Sequence, residues 1–183
     1  ACIALPSARA VPYKAMTTLT SSRVLLPRGI LPASVHVEQG RIVRVGPPGE
    51  GRDLGDRVLA PSLVDSHVHV NEPGRSEWEG FATATAAAAL GGVTAIADMP
   101  LNSLPVTTSL DALEAKIAST VGKLRVDVAL WGGVVPGNTA SLSPMVERGV
   151  RGFKCFTCPS GIDEFPQCGE PELLEAMPKL RAL

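Results

Sequence analysis

From Leu63 to its last residue the chain alternates β-like and helical runs, and this limits the folds open to it more than any other feature. Leu63–Val70 reads as a strand, and Trp78–Leu90 as an Ala-rich helix stopped by Gly91-Gly92. Val93–Asp98 is a second strand, and Ser109 is placed to cap a helix over Leu110–Ser119 with Glu114 and Lys116 on its exposed side. Arg125–Trp131 carries Val126, Val128 and Leu130 at alternate positions, a third strand; Ser143–Arg148 is a short helix and Val150–Phe156 a fourth strand. Pro171–Leu183 opens a further helix. Such a series implies right-handed βαβ units and a parallel sheet. A doubly wound open sheet and part of a (β/α)8 barrel both satisfy the count. The polar residues separate them. His67, His69, Asp98, Asn102 and Lys154 fall at or just beyond the C-terminal ends of separate strands, the face on which barrels gather catalytic groups. No Gly-rich phosphate loop follows the first strand, so a nucleotide-binding sheet finds no support.

The chain before Leu59-Ala60-Pro61 has another texture. Val35–Glu38 and Arg41–Val45 alternate apolar and polar residues around Gln39-Gly40, the pattern of a hairpin closed by a tight turn. The expected class is therefore α/β: the N-terminal part of a (β/α)8 TIM barrel preceded by a small β-rich, sandwich-like domain. The expected division is residues 1–16 as leader or upstream sequence, 17–58 as the β domain and 59–183 as the first half of the barrel. Ala1–Ala15 hold Arg9 and Lys14 but no acid, faintly like a transit peptide, although a start at Met16 is the preferred reading.

Composition matters chiefly for what it excludes. A formal net charge of -1 and 4% aromatics argue against nucleic acid and anionic membrane as partners. No apolar run approaches the ~18 residues of a membrane span, and no secretory signal is read, which suggests an intracellular protein. Cys2, Cys155, Cys158 and Cys168 are too few and too uneven for a disulfide scaffold. Cys155 and Cys158 have the spacing of a redox or zinc pair, but no second pair follows, and reduced thiols beside a strand end are the favoured reading.

The segment Val64-Asp65-Ser66-His67-Val68-His69-Val70 carries the strongest chemical signal. Residues two apart on a strand share a face, with Cα atoms roughly 6.6 Å apart, so the two imidazoles can converge on one metal ion. Asp65 has the same parity and can ligate or orient a ligand. His36, alone in the hairpin, reads as an ordinary strand residue. Lys154 shares a strand face with Val150 and Gly152. Pointing into a barrel it would be desolvated and neutral, able to add carbon dioxide and become an anionic bridging carbamate. Pointing outward it is a surface lysine, and the residues alone leave those readings even.

His67-Val-His69-Val-Asn71-Glu72-Pro73-Gly74-Arg75 resembles the metal-binding opening of cyclic amidohydrolases of the amidohydrolase superfamily. The allantoinase branch is the closer likeness when Trp78-Glu79-Gly80-Phe81, Asp98-Met99-Pro100-Leu101-Asn102, Gly152-Phe153-Lys154 and Cys158-Pro159-Ser160-Gly161 are added. The resemblance implies two zinc ions bridged by carboxylated Lys154, with His67 and His69 on the first ion. It implies hydrolysis of a ring amide by metal-activated water, with a cyclic ureide such as allantoin as substrate and allantoate as product. Dihydroorotases usually have an Arg, which holds the substrate carboxylate, where this chain has Asn71; Asn71 therefore favours a neutral ring, and Asn102 would contact it. The resemblance further implies a homotetramer, cytoplasmic or peroxisomal, with the leader leaving a mitochondrial address open.

The family also uses two histidines and an Asp on later strands. Past Lys154 this chain has no histidine, and its one Asp is Asp163. A barrel typically needs about 250 residues, so the expectation is a fragment, inactive as it stands, whose catalytic Asp lies beyond it. Two readings compete: a dihydropyrimidinase or hydantoinase with the same metal pattern, and a non-catalytic amidohydrolase-like scaffold, which retention of His67, His69 and Lys154 disfavours.

Overall fold

The computed structural model describes residues 16–183, so the expected leader Ala1–Ala15 lies outside the described residues. The chain forms two compact units that meet in sequence at Ser62 and Leu63.

The first unit is a sheet. Strands β1 (Met16–Leu26), β2 (Gly29–Glu38) and β3 (Arg41–Gly46) pair antiparallel, and the short β4 (Arg52–Asp53) and β5 (Val58–Leu59) both lie parallel to β1. The hairpin between β2 and β3 turns on Gln39 at φ 47° and Gly40 at φ 75°. Two consecutive left-handed residues give the turn whose twist matches the flanking strands, which explains Gly at the second position. Val24, Ala33 and Val35 form this unit's core.

The second unit realises the expected alternation. Strands β6 (Leu63–Val68), β7 (Val93–Asp98) and β8 (Asp127–Leu130) form a parallel sheet in that order, joined by α1 (Phe81–Leu90) and α2 (Leu110–Ser119). A two-residue strand β9 (Gly132–Gly133) then pairs parallel with β10 (Phe153–Lys154), connected through α3 (Leu142–Arg148); α4 (Glu170–Ala182) follows. Val70, Phe81, Ile96, Leu113, Ile117 and Leu130 pack between sheet and helices.

Five expectations need correction. Helix α1 begins at Phe81 rather than Trp78, because the Glu72 carboxylate accepts the Phe81 N–H at 2.9 Å and caps the helix there. Trp78 stays outside, 68% exposed. The third strand is only Asp127–Leu130, and the first ends at Val68. The fourth contracts from Val150–Phe156 to Phe153–Lys154, since its ladder partner is the glycine pair. A Cβ on Gly132 would lie 2.6 Å from the Phe153 ring, and one on Gly133 2.4 Å from Phe165, so this seam closes only around glycine. Lastly, Lys116 is not on the exposed side of α2: it is fully buried.

Candidate metal centre

Where β6 ends, its register against β7 slips. Asp65 pairs with Ile96 but Val68 with Asp98, so one extra residue is accommodated across Ser66 and His67. Bulges of this kind re-aim side chains at sheet ends. His67 and His69 emerge with ring centroids 5.2 Å apart, tilted by 46°, and their Nε2 atoms 3.3 Å apart. His67 is exposed and His69 half-buried. From 87 residues further along, Lys154 brings Nζ to 3.5 Å from His67 Nε2 and 4.9 Å above the Phe156 ring. The seam with β9 fixes it, Val134 N–H donating to the Lys154 carbonyl at 2.9 Å.

Asp65 does not join the cluster. Its carboxylate accepts the backbone N–H of His67 at 3.1 Å and so steadies the strand end. Asp98, the other acid at a strand end, is fully buried and faces Lys116. Among the described residues no three His, Cys, Asp or Glu side chains gather to hold a metal ion. Cys155, Cys158 and Cys168 are free thiols, with Cys168 donating to the Val134 carbonyl at 3.2 Å. The two histidines and Lys154 are thus the donor set in question.

The set has the electrostatics of a ligand site. Burial, then the nearby Lys154 charge, then His67 hold His69 below the ordinary imidazole range, which keeps a lone pair available. Burial likewise lowers the Lys154 ammonium toward the neutral amine. Geometry supplies a fit test. Two nitrogens each about 2.0–2.1 Å from a tetrahedral zinc ion lie about 3.3–3.4 Å apart. The observed Nε2 separation of 3.3 Å meets that spacing without movement. The residues fit.

Asn71 and Asn102, expected to face a substrate, sit on the loops after β6 and β7, which are tied together by Leu104 N–H to the Pro73 carbonyl at 2.8 Å. A Cβ on Gly74 would lie 2.6 Å from the Leu104 carbonyl oxygen, so only glycine permits that approach. Asn71 is buried, with its main chain pinned by the Glu79 carbonyl and the Arg75 N–H, yet its side-chain Oδ1 finds no partner within the described residues. His69 Nδ1 and Thr107 Oγ1 are likewise buried without a hydrogen bond. A buried acceptor left without a donor is costly, and a bound polar ligand is one way to supply it. Asn102 stands in the left-handed region at φ 79°, a conformation rare outside glycine and frequent at binding loops. Sequence reasoning missed Lys116 and Thr107. For Lys116 the signal was present: Ala112, Leu113, Lys116 and Ile117 share one helical face, which makes it part of the apolar stripe.

A family described as dihydro-orotase-like matches residues 56–143. An allantoinase of Streptomyces avermitilis is 50% identical over 169 residues, 88% of this chain and 38% of the relative. A probable allantoinase 2 of Dictyostelium discoideum is 61% identical over 129 residues, 70% of this chain and 25% of the relative. A mitochondrial allantoinase of Aquarana catesbeiana is 44% identical over 177 residues, 93% of this chain and 37% of the relative. Among solved structures, the L-hydantoinase (dihydropyrimidinase) of Arthrobacter aurescens superposes with a TM-score of 0.81 at 30% identity, over 91% of this chain and 38% of its own. The chain therefore spans well under half the length of the relatives it matches.

Proposed function

Because this chain belongs to the cyclic amidohydrolases that include these allantoinases, we propose that the protein carrying it hydrolyses the hydantoin ring of allantoin to allantoate. The observation that carries the reading is the approach of His67 Nε2 and His69 Nε2 at the spacing one metal ion requires, with Lys154 Nζ 3.5 Å from His67 Nε2 at the same strand ends. Enzymes of this family are metal-dependent in general. In this reading His67 and His69 would hold a zinc ion, and Lys154, as its carbamate, would supply anionic oxygen ligands. Bound there, such ions acidify water and polarise a carbonyl.

The chain's own residues prepare that chemistry. Burial keeps Lys154 toward the neutral amine, the form that adds carbon dioxide. The depressed pKa of His69 keeps its ring unprotonated near neutrality. Asn71 offers a buried oxygen to a ring N–H, while its uncharged amide supplies nothing to neutralise a carboxylate. Asn102 borders the ring from the loop after β7. The parallel run β6–β7–β8 and the β9–β10 seam are read as successive strands of a (β/α)8 barrel, and the first unit as its sandwich-like β domain. The likeness to the hydantoinase supports this architecture. A homotetramer belongs to the same reading, checked by light scattering. So does an intracellular address, cytoplasmic, peroxisomal or mitochondrial, checked by imaging a tagged protein; among the described residues no helix is long and apolar enough to cross a membrane.

The test is a substrate panel of allantoin, dihydroorotate, hydantoin and dihydrouracil. The expected result is kcat/KM for allantoin well above the rest. Dihydroorotate turned over as well as allantoin would overturn the Asn71 argument, and preference for dihydrouracil would move the protein to the dihydropyrimidinases.

A further inference from the structure

The buried face of α2 carries a lysine that no part of the proposed chemistry uses. Lys116 lies beside Leu113 and Ile117, both core residues, and is itself fully buried. Its Nζ donates to Asp98 Oδ2 at 2.7 Å and to the Met99 carbonyl at 3.1 Å. Neither side chain of the pair has any solvent exposure. Asp98 is not spent on Lys116 alone. Its other oxygen, Oδ1, accepts the backbone N–H of Val70 at 2.8 Å.

The position of these bonds is what matters. The β6 ladder stops at Val68, whose carbonyl accepts Met99 N–H at 2.8 Å. His69 follows, beyond the strand, and Val70 is the next residue to be held, by Asp98. The main chain is therefore fastened to the end of β7 on both sides of His69, and one of the two fastenings is a side chain. Lys116 reaches both, through Asp98 Oδ2 and through the carbonyl of Met99.

Burying two charges is a poor way to stabilise a fold, since apolar residues of similar volume commonly do as well or better. What an ion pair adds is direction: it fixes where an oxygen and an N–H must lie. We propose that Lys116 and Asp98 are positioning residues for the metal arm, locking the main chain around His69 so that the two histidine Nε2 atoms are held at metal-binding spacing. The inference rests on the reading of His67, His69 and Lys154 as metal ligands. It places the pair in the supporting layer of the site, where loss of an orienting partner typically lowers metal affinity about 10–100-fold.

The test compares two double variants in the whole protein, because removing one member alone strands a buried charge and endangers folding. Asp98→Asn with Lys116→Met removes both charges and keeps an oxygen for Val70 N–H. Asp98→Leu with Lys116→Met removes the oxygen too. Zinc affinity is read by competition with a chromophoric chelator, coordination by the visible spectrum of the cobalt-loaded protein, and folding by thermal unfolding of the metal-free protein. The expected result is zinc binding weakened at least ten-fold in the Leu variant, with a changed cobalt spectrum, and binding closer to the parent in the Asn variant. Thermal unfolding identifies effects that come from lost folding alone. If both variants fold and bind zinc like the parent, the pair is only structural and the proposal falls. His67→Ala serves as the control for the underlying reading. If it binds zinc like the parent, the metal site itself is misplaced; if it loses zinc while the double variants do not, only the positioning role is refuted.

Discussion

His36 and the pair His67–His69 carry the same side chain in opposite circumstances. In the first unit His36 is 5% exposed, with Nδ1 3.0 Å from Thr18 Oγ1 and the Arg44 guanidinium 3.4 Å away. In the second unit, at the end of β6, the two imidazoles face each other and a lysine, with the Leu101 backbone beside His69, and among the described residues His69 Nδ1 has no partner at full hydrogen-bond geometry. A histidine whose Nδ1 is answered by side chains of the two flanking strands has done its work in folding. Two left facing one another across 3.3 Å require something between them, a proton or a metal ion. Satisfaction, rather than residue type or burial, separates the two roles.

The comparison is broken most sharply by exchanging its terms. In the protein carrying this chain, His67→Ala should abolish turnover and remove zinc measured by plasma emission, whereas His36→Gln should keep the zinc content of the parent. Equal zinc loss in both variants would show that the distinction is false. Lys154→Ala should be nearly as damaging. It should be metal-poor and inactive, and short-chain carboxylates added in excess should restore part of the activity by standing in for the carbamate. Normal metal content and turnover in Lys154→Ala would remove it from the site.

His36 should declare itself in stability instead. His36→Ala forfeits a buried hydrogen bond and packing, so thermal or denaturant unfolding of the first unit should show a loss of about 1–3 kcal/mol, with metal binding intact. No change in unfolding would mean that Thr18 and Arg44 find other partners without cost.

The smallest effect belongs to an ion pair on the other side of α2 from Lys116. Glu114 and Arg148 join α2 to α3 in the open, and the Arg148 hydrogen bond holds the Glu114 carboxyl below its usual value of 4.5. A carboxylate depressed in the folded state contributes stability above its unfolded pKa and loses it as pH falls through the folded one. Glu114→Gln should therefore melt slightly below the parent at neutral pH and converge with it well below pH 4.5. A gap that persists in acid would mean that packing, not charge, joins the two helices there.

Much of this molecule could be read before any coordinates. The strand and helix order from Leu63 onward, Ser109 as a cap (its hydroxyl accepting Ala112 N–H at 3.2 Å) and the Gln39-Gly40 turn follow from local rules of period and backbone freedom. The convergence of His67 and His69 follows from strand parity, although the bulge that aims them does not. The sequence left Lys154 evenly between solvent and site, and put Lys116 on the wrong side of its helix. Local periodicity tells which residues share a face but not what stands opposite. Lys154 meets His67 across 87 residues, and Lys116 meets Asp98 across 18. A lysine enters a core only when a carboxylate is already waiting there, because an unanswered buried charge is too costly to keep. That condition is set by packing between distant segments, so only the tertiary structure could decide it.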